Sequence, residues 1–302
     1  MIPYFIPIPT AAIPPPTGPE QRFETVRRDR FVLTMHSEHV DEIDSSAILT
    51  EPMGNLISRY GAGGYGGRGS VARVDIPGIG HVFVRDYRHG GPLRAILGRR
   101  YFIPGRESRE LFALRVARSH GLPVPDPIAC AREHTGFGRG YHARIVTREI
   151  PRTASLVTTL WDMKRDNKDT APLFVRVGET IRAMHDSGVF HFDLNMNNIL
   201  VDEDETVFII DFDRARVQNV LGMNGRIANI RRLFRSGRKL SRLHGDAPAG
   251  WFSDERFNEL LRGYAGTDER LLRRLASRTI LSRSLYVRSH IGWALDDFLY
   301  KK

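Results

Sequence analysis

Lysine is scarce in this 302-residue chain: only five of its 45 basic residues are lysines, and the first of them is Lys164. Whatever cation serves the first half of the chain must therefore be arginine. Cysteine is scarcer still. The single Cys130 excludes an internal disulfide framework and a cysteine-based metal cluster, and fits a reducing compartment. No run of about 18 apolar residues occurs, which excludes a helical membrane span. Acidic residues are in deficit, 35 against 45 basic, so the net charge is +10 and the pI about 10.1. That balance favours anionic partners such as nucleic acid, phospholipid surfaces or phosphorylated substrates, although a soluble basic protein without such a partner shows the same balance. The hydrophobic share of 41% and charged share of 26% suffice for a buried core, in one large domain or two lobes sharing a cleft.

What is present begins with proline. Residues 1–20 hold seven prolines and no charge before Glu20. They have neither the positive start nor the unbroken apolar stretch of a secretory signal, and they read as an extended, disordered arm. From position 60 the pattern changes to a glycine-rich turn between strands. Gly64, Gly66, Gly67 and Gly69 would let backbone amides approach phosphate oxygens, as a phosphate-cradling loop does; a mobile connection has the same composition. Alternation over 71–76 and again over 81–87 predicts strands. Arg85, between apolar neighbours in 82-VFVRDY-87, is the candidate for gripping nucleotide phosphates, with Arg88 as competitor; an ordinary exposed strand arginine fits the spacing too. A helix over about 105–120 follows, stopped at Gly121. Its Glu110, or else Glu107, is placed to pair with that arginine, and a solvated glutamate is the plain alternative. The apolar strand 141–151 ends in a connector around Glu149, whose backbone is the candidate for the adenine edge.

The second half is organised around 191-HFDLNMNNILVDEDETVFIIDFD-213. A helix over 173–187 leads into it, with Gly188 as its stop. Asp193, Asn198 and Asp211 stand at spacings that phosphoryl transfer requires: a carboxylate to take the acceptor hydroxyl's proton, and two hard oxygen ligands for magnesium. His191 is expected to brace the loop by hydrogen bonds, and Asn195 to contact acceptor or phosphate. An Asx-rich turn would explain the Asn and Asp residues alone. It would not explain two carboxylates at the end of a β-branched, apolar hairpin, which are costly to bury without a balancing cation.

These pieces together resemble the lipopolysaccharide-kinase family of the eukaryotic-type kinase superfamily, the branch that contains 3-deoxy-D-manno-octulosonic acid (Kdo) kinases. The motifs that carry the resemblance are 67-GRGSV-71, 84-VRDYRHGG-91, 98-GRRYFIPGRESRE-110, 122-LPVPDPIA-129, 141-YHARIVTREIP-151, 193-DLNMNNIL-200, 210-IDFDRAR-216 and 229-NIRRLFRSGRK-239. The resemblance implies an α+β, two-lobed protein-kinase-like fold: a small, mainly antiparallel β lobe with one helix over 21–150, and a larger, mainly helical lobe over 151–302. It implies ATP- and Mg2+-dependent phosphorylation of the 4-hydroxyl of Kdo on a lipid A precursor, by a monomer peripheral to the cytoplasmic face of the inner membrane. Asp193 would be the active-site residue, Asn198 and Asp211 the metal ligands. Three departures from protein kinases argue against a regulated one: no lysine in the first lobe, Asp213 where a glycine would permit a flip, and no Ala-Pro-Glu segment after it.

Residues 226–242 add a basic run with Ile227, Ile230, Leu233 and Phe234 at helical spacing. It reads either as a solvated helix over an apolar stripe or as a cationic ledge for a sugar carboxylate, lipid phosphates or an anionic membrane surface. The tail from 253 reads as helices, with Trp293 and Phe298 in a core. Other readings of the whole chain are a kinase for another sugar, small molecule or protein hydroxyl, and a membrane-associated pseudokinase scaffold. A nucleic-acid partner would rest on charge alone and is not expected.

Overall fold

The computed structural model describes residues 23–61, 71–87, 105–135, 140–243, 248 and 250–280. The proline-rich arm and the tail carrying Trp293 and Phe298 lie outside them. The chain divides into two compact units.

The first unit is built on a six-stranded sheet of order β1-β2-β5-β6-β4-β3, each neighbouring pair antiparallel. Its strands are β1 (Phe23–Arg28), β2 (Phe31–His36), β3 (Val71–Ile76), β4 (Gly80–Asp86), β5 (Pro127–His134) and β6 (Tyr141–Arg148). Period-two sequence makes β3 a one-faced strand: Ala72, Val74 and Ile76 are buried while Arg73 and Asp75 are exposed. The short helices α1 (Val40–Ser46) and α2 (Met53–Tyr60) close that face with Ile43, Met53 and Leu56. They come in addition to the one helix expected in this lobe. That helix is α3 (Arg106–Ser119), which packs on β5 and β6. The first five residues of β5 are all buried, as they must be in a strand covered on both faces.

Two short segments from much later in the chain, residues 187–193 and 208–220, belong to this same unit. The later strands are β7 (Thr153–Ser155), β8 (Val189–Phe190), β9 (Ile199–Asp202), β10 (Val207–Ile209) and β11 (Arg216–Val217), and the two segments bring β8 and β11, paired antiparallel, onto α3. The Ile209 amide donates to the Pro123 carbonyl at 3.1 Å, tying the second segment to the extended 122–127 run. The compact units thus follow a different division from the expected 21–150 and 151–302. The first keeps everything up to Thr153 and reclaims the stretches that flank the catalytic loop, because α3 has an apolar face that they cover.

The second unit contains α4 (Leu156–Arg165), α5 (Ala171–Asp186), α6 (Met223–Leu243), α7 (Asp254–Ala265) and α8 (Glu269–Ile280). Sequence signals set its helix starts: Ser155 and Ser253 each accept a hydrogen bond from the backbone amide three residues on, at 3.1 and 3.2 Å. Helices α5 and α7 touch backbone to backbone. A Cβ added at Gly178 would stand 2.0 Å from the Leu260 carbonyl oxygen, and one at Gly263 2.1 Å from that of Val175. Beside this contact lies a buried polar knot, in which His185 bonds the Tyr264 hydroxyl (2.8 Å) and the Asn229 side-chain oxygen (3.1 Å). Arg226 pairs with Asp186 at 2.6 Å and fixes the start of α6 to the end of α5. Among the described residues no helix is long and apolar enough to cross a membrane.

Candidate active site

Strand alternation places Val82 and Val84 in the core and turns Arg85 the other way, in register with Val71 of β3 and Ile145 of β6. There it meets two carboxylates. Arg85 Nη2 donates to Glu110 Oε1 of α3 at 2.5 Å, and Nη1 to Asp211 Oδ1 at 2.6 Å. Arginine's planar fork makes this double engagement possible; a lysine ammonium is a single point charge. The Tyr87 hydroxyl donates to the other Glu110 oxygen. Glu107, the rival for Arg85, is instead taken by Arg132 with bonds of 2.8 and 2.6 Å.

The electrostatics follow from burial. Burial opposes ionisation of Asp211, but the charge and hydrogen bond of Arg85 outweigh it and hold the carboxyl below its ordinary value. At Glu110 burial wins over Arg85, and the carboxyl is pushed up to about 7. Burial also pushes the Tyr87 phenol up, so it stays a donor. Arg85 is held charged by Glu110 and Asp211 in spite of its own burial. Asp211 further adopts a left-handed backbone, φ +63°, which a non-glycine residue sustains only where its surroundings fix it.

Asp213 is fixed as well. Arg106, at the start of α3, holds it with two bonds, one of them 2.6 Å from Nε to Oδ1. The guanidiniums of Arg85 and Arg106 both stand over the Tyr87 ring, 5.2 and 5.1 Å from its centroid.

His191 joins the two catalytic segments. Its ring is fully buried, edge-on to Phe212 at 5.1 Å. Nδ1 accepts the Asp193 amide at 3.2 Å and Nε2 faces the Ile210 carbonyl at 3.0 Å. One nitrogen must accept and the other donate, so the ring is the neutral Nε2–H tautomer. The backbone of Asp193 is thereby tied to the residue preceding Asp211, as the bracing role expected of His191 requires. Asp193 itself is exposed.

Asn195 and Asn198 belong to the second unit. The Asn195 Oδ1 accepts the amides of Asn197 (2.9 Å) and Asn198 (3.2 Å), so this oxygen caps a short turn. The Met196 amide between them donates to Ser236 Oγ of α6 at 3.2 Å. Asn198 is half-buried at the end of that turn. Glu149 gives its amide to the His81 carbonyl at 2.9 Å and its carboxylate to Arg73. Its amide and its carboxylate are thus both engaged within the first unit. Gly64, Gly66, Gly67, Gly69 and Arg88 lie outside the described residues.

The structure brings Arg85, Glu110 and Asp211 together, with Asp193 tied to them through His191. Sequence reasoning missed Tyr87 and Arg106. Tyr87 was signalled by its place two residues after Arg85, on the same strand face; Arg106 sat unused in the 98–110 motif.

An arginine bridging a helix glutamate and an aspartate after an apolar strand, beside a loop aspartate, is the arrangement of a kinase-like phosphotransferase. The comparisons agree. Residues 63–264 match the model of the lipopolysaccharide kinase (Kdo/WaaP) family, and the chain belongs to that family. It is 35% identical over 160 residues to the 3-deoxy-D-manno-octulosonic acid kinase of Vibrio cholerae, a match covering 52% of this chain and 65% of that protein. The same-named kinase of Vibrio vulnificus is 32% identical over 203 residues, covering 66% and 80%. A solved structure described as WaaP in complex with acyl carrier protein shares the fold, with a TM-score of 0.53 at 18% identity, over 84% of this chain and 100% of that one. The protein is thus a phosphotransferase enzyme of lipopolysaccharide biosynthesis.

Proposed function

We propose that this kinase transfers the γ-phosphoryl group of ATP to the 4-hydroxyl of Kdo on a lipid A precursor. The observation that carries the reading is Arg85, held by Glu110 and Asp211 in the chain of a family whose relatives are named Kdo kinases.

Asp193 accepts and orients the acceptor hydroxyl. As the oxygen forms its bond to the γ-phosphorus, the bond to the β-bridging oxygen breaks, the hydroxyl proton passes to the Asp193 carboxylate and ADP leaves. Most of the acceleration comes from positioning, which the His191 tie to the Asp193 backbone provides. Arg85 supplies fixed positive charge to the phosphates, and Glu110 with Tyr87 keeps it aimed.

The donor set suits magnesium. Asp211 presents a carboxylate held ionised by Arg85, and the resemblance assigns Asn198 as the second ligand. Asp211 and Asn198 would each offer a hard oxygen, the kind of ligand that magnesium takes. When bound, the metal neutralises charge on the transferring phosphates. The proposal places the enzyme at the cytoplasmic face of the inner membrane, where such an acceptor would be met, with its basic surface favouring attachment to anionic lipid.

The test is transfer of label from γ-labelled ATP to Kdo-bearing lipid A precursor. Wild type is expected to label the acceptor, and Asp193→Ala to lose all but a trace. Equal labelling by both would overturn the assignment.

A further inference from the structure

The turn that carries Asp211 is held under strain. Asp211 and Arg214 both adopt a left-handed backbone, φ +63° and +62°, and neither is a glycine. Such residues cost free energy and persist only where their surroundings fix them. Phe212 between them is fully buried against His191, and the Ala215 amide donates to the Phe212 carbonyl at 2.9 Å. These contacts pin the aromatic side of the turn. Its two acidic side chains have to be held from elsewhere.

Helix α3 does that holding. Arg106 and Glu110 stand one turn apart and so share a helix face. Glu110 aims Arg85 at Asp211, while Arg106 grips Asp213 with both Nε and Nη2. A two-bond fork fixes orientation as well as distance. The side chains of this second pair are only 19% and 20% exposed, so salt screens it little. Two guanidiniums over the one Tyr87 ring would repel, and each receives its own carboxylate from the same turn. Asp213 in its turn reaches Asp211. Burial opposes the Asp211 charge, while Arg85 and a hydrogen bond from the Asp213 backbone amide favour it. The contacts thus run from Arg106 through Asp213 to the proposed metal ligand, all within the first unit.

We propose that Arg106 is a positioning residue for the metal: by gripping Asp213 it keeps the 211–214 turn in its left-handed form, with the Asp211 carboxylate set before magnesium and nucleotide arrive. Groups that orient a metal's ligands govern its affinity nearly as strongly as the ligands themselves. An ion pair fixes the turn at the position where a glycine would leave it free to change. The inference rests on the reading of Asp211 as a magnesium ligand, and it deepens that reading by naming the residue behind the ligand.

The experiment measures binding of a fluorescent ADP analogue to the full chain, across a range of Mg2+ and again in EDTA. It compares wild type with Arg106→Gln, Arg106→Lys, Asp213→Asn and the double variant Arg106→Gln/Asp213→Asn. The Mg2+ concentration that gives half of the metal's effect should rise about tenfold in Arg106→Gln, as loss of a group behind a metal ligand does. Affinity in EDTA should stay at the wild-type value. A merely structural role gives no such split, because a weakened fold loses affinity in both conditions. Asp213→Asn should match Arg106→Gln, and the double variant should be no worse than either, as two members of one pair require. Arg106→Lys keeps the charge with a single bond and should recover part of the loss; it carries the same test where Arg106→Gln fails to fold. With neither metal nor nucleotide present, hydrogen exchange at the Ala215 amide should quicken in both Arg106 variants. An unchanged Mg2+ requirement in these variants would overturn the proposal, as would an equal loss of affinity in EDTA. So would a loss in Asp213→Asn that Arg106→Gln does not share, which would make Asp213 a ligand in its own right. Should Mg2+ not strengthen ADP binding by wild type, the metal reading of Asp211 fails by itself. Exchange at Ala215 then decides the clamp: faster exchange in the Arg106 variants supports it, and equal exchange defeats it.

Discussion

Arg85 shows how much chemistry one residue type decides. Its two nitrogens reach carboxylates on different elements at 2.5 and 2.6 Å, and a lysine could serve one of them only. Arg85→Lys is expected to lower kcat/KM for ATP by roughly ten- to a hundred-fold, the cost of about one to two charge-assisted bonds; a change within twofold would show that Arg85 does not grip phosphate. Glu110 gives a pH prediction. Its carboxyl, raised by burial to about 7 from an unfolded value near 4.5, binds more protons in the folded state across that interval. Stability should therefore fall as pH rises from about 5 to 7, in the sense that the linkage relation requires. Thermal unfolding across this range should show the decline, and Glu110→Gln should flatten it; an equal decline in the variant would assign the effect elsewhere. Arg85 and Glu110 were legible in the sequence because strand alternation and helix position limit each to a few candidates. At Asn195 the coordinates add an Asx cap, which the sequence alone does not tell apart from a substrate contact.

At the scale of elements, the long periodic stretches could be read: the helix expected over 173–187 is α5, Ala171–Asp186, and the strands expected over 71–76 and 81–87 are β3 and β4. The two-residue strands β8 and β11 could not, because pairs so short carry no period and exist only through their partners. Close helix packing was equally silent in the sequence. Gly178 sits inside α5 with ordinary helical surroundings, and only the fold reveals the Leu260 carbonyl against it. A methyl group there must push apart two backbones, since all three nearest atoms are backbone and none belongs to a flexible side chain. Gly178→Ala should destabilise by roughly 1–3 kcal/mol despite alanine's better helix propensity, as overpacked positions do. Urea unfolding of the second unit's helical signal would show it; a stabilised variant would mean that α5 and α7 yield at this point.

On the scale of the molecule, the first unit is not a continuous piece of chain. Hydrophobic pattern and prolines placed a boundary near 149–152, and the structure's continuous stretch ends at Thr153, but residues 187–193 and 208–220 return to it. Sequence reading assigns neighbours in the chain to one lobe by default, and nothing in local pattern announces a return. The return has a physical purpose on α3: Leu111, Leu114 and Ala117 are buried, and β8 and β11 pack against that helix. Asp211 arrives on the second of these segments and neutralises Arg85, while Asp213 does the same for Arg106. A fragment of residues 23–153 would keep the six-stranded sheet but lose that cover and both carboxylates. Arg85 would then keep only Glu110 of its two acidic partners, beside apolar surface newly open to water, which costs stability twice over. The fragment should accordingly bind a hydrophobic dye that the full chain excludes and unfold at lower urea, and adding a peptide of residues 206–220 should reverse part of both changes. The same peptide with Asp211→Asn should do so less well, because it restores the cover without the charge. If the fragment alone excludes dye, and either peptide leaves its unfolding midpoint unmoved, the sheet and α3 form a finished core, and the later segments merely rest on it.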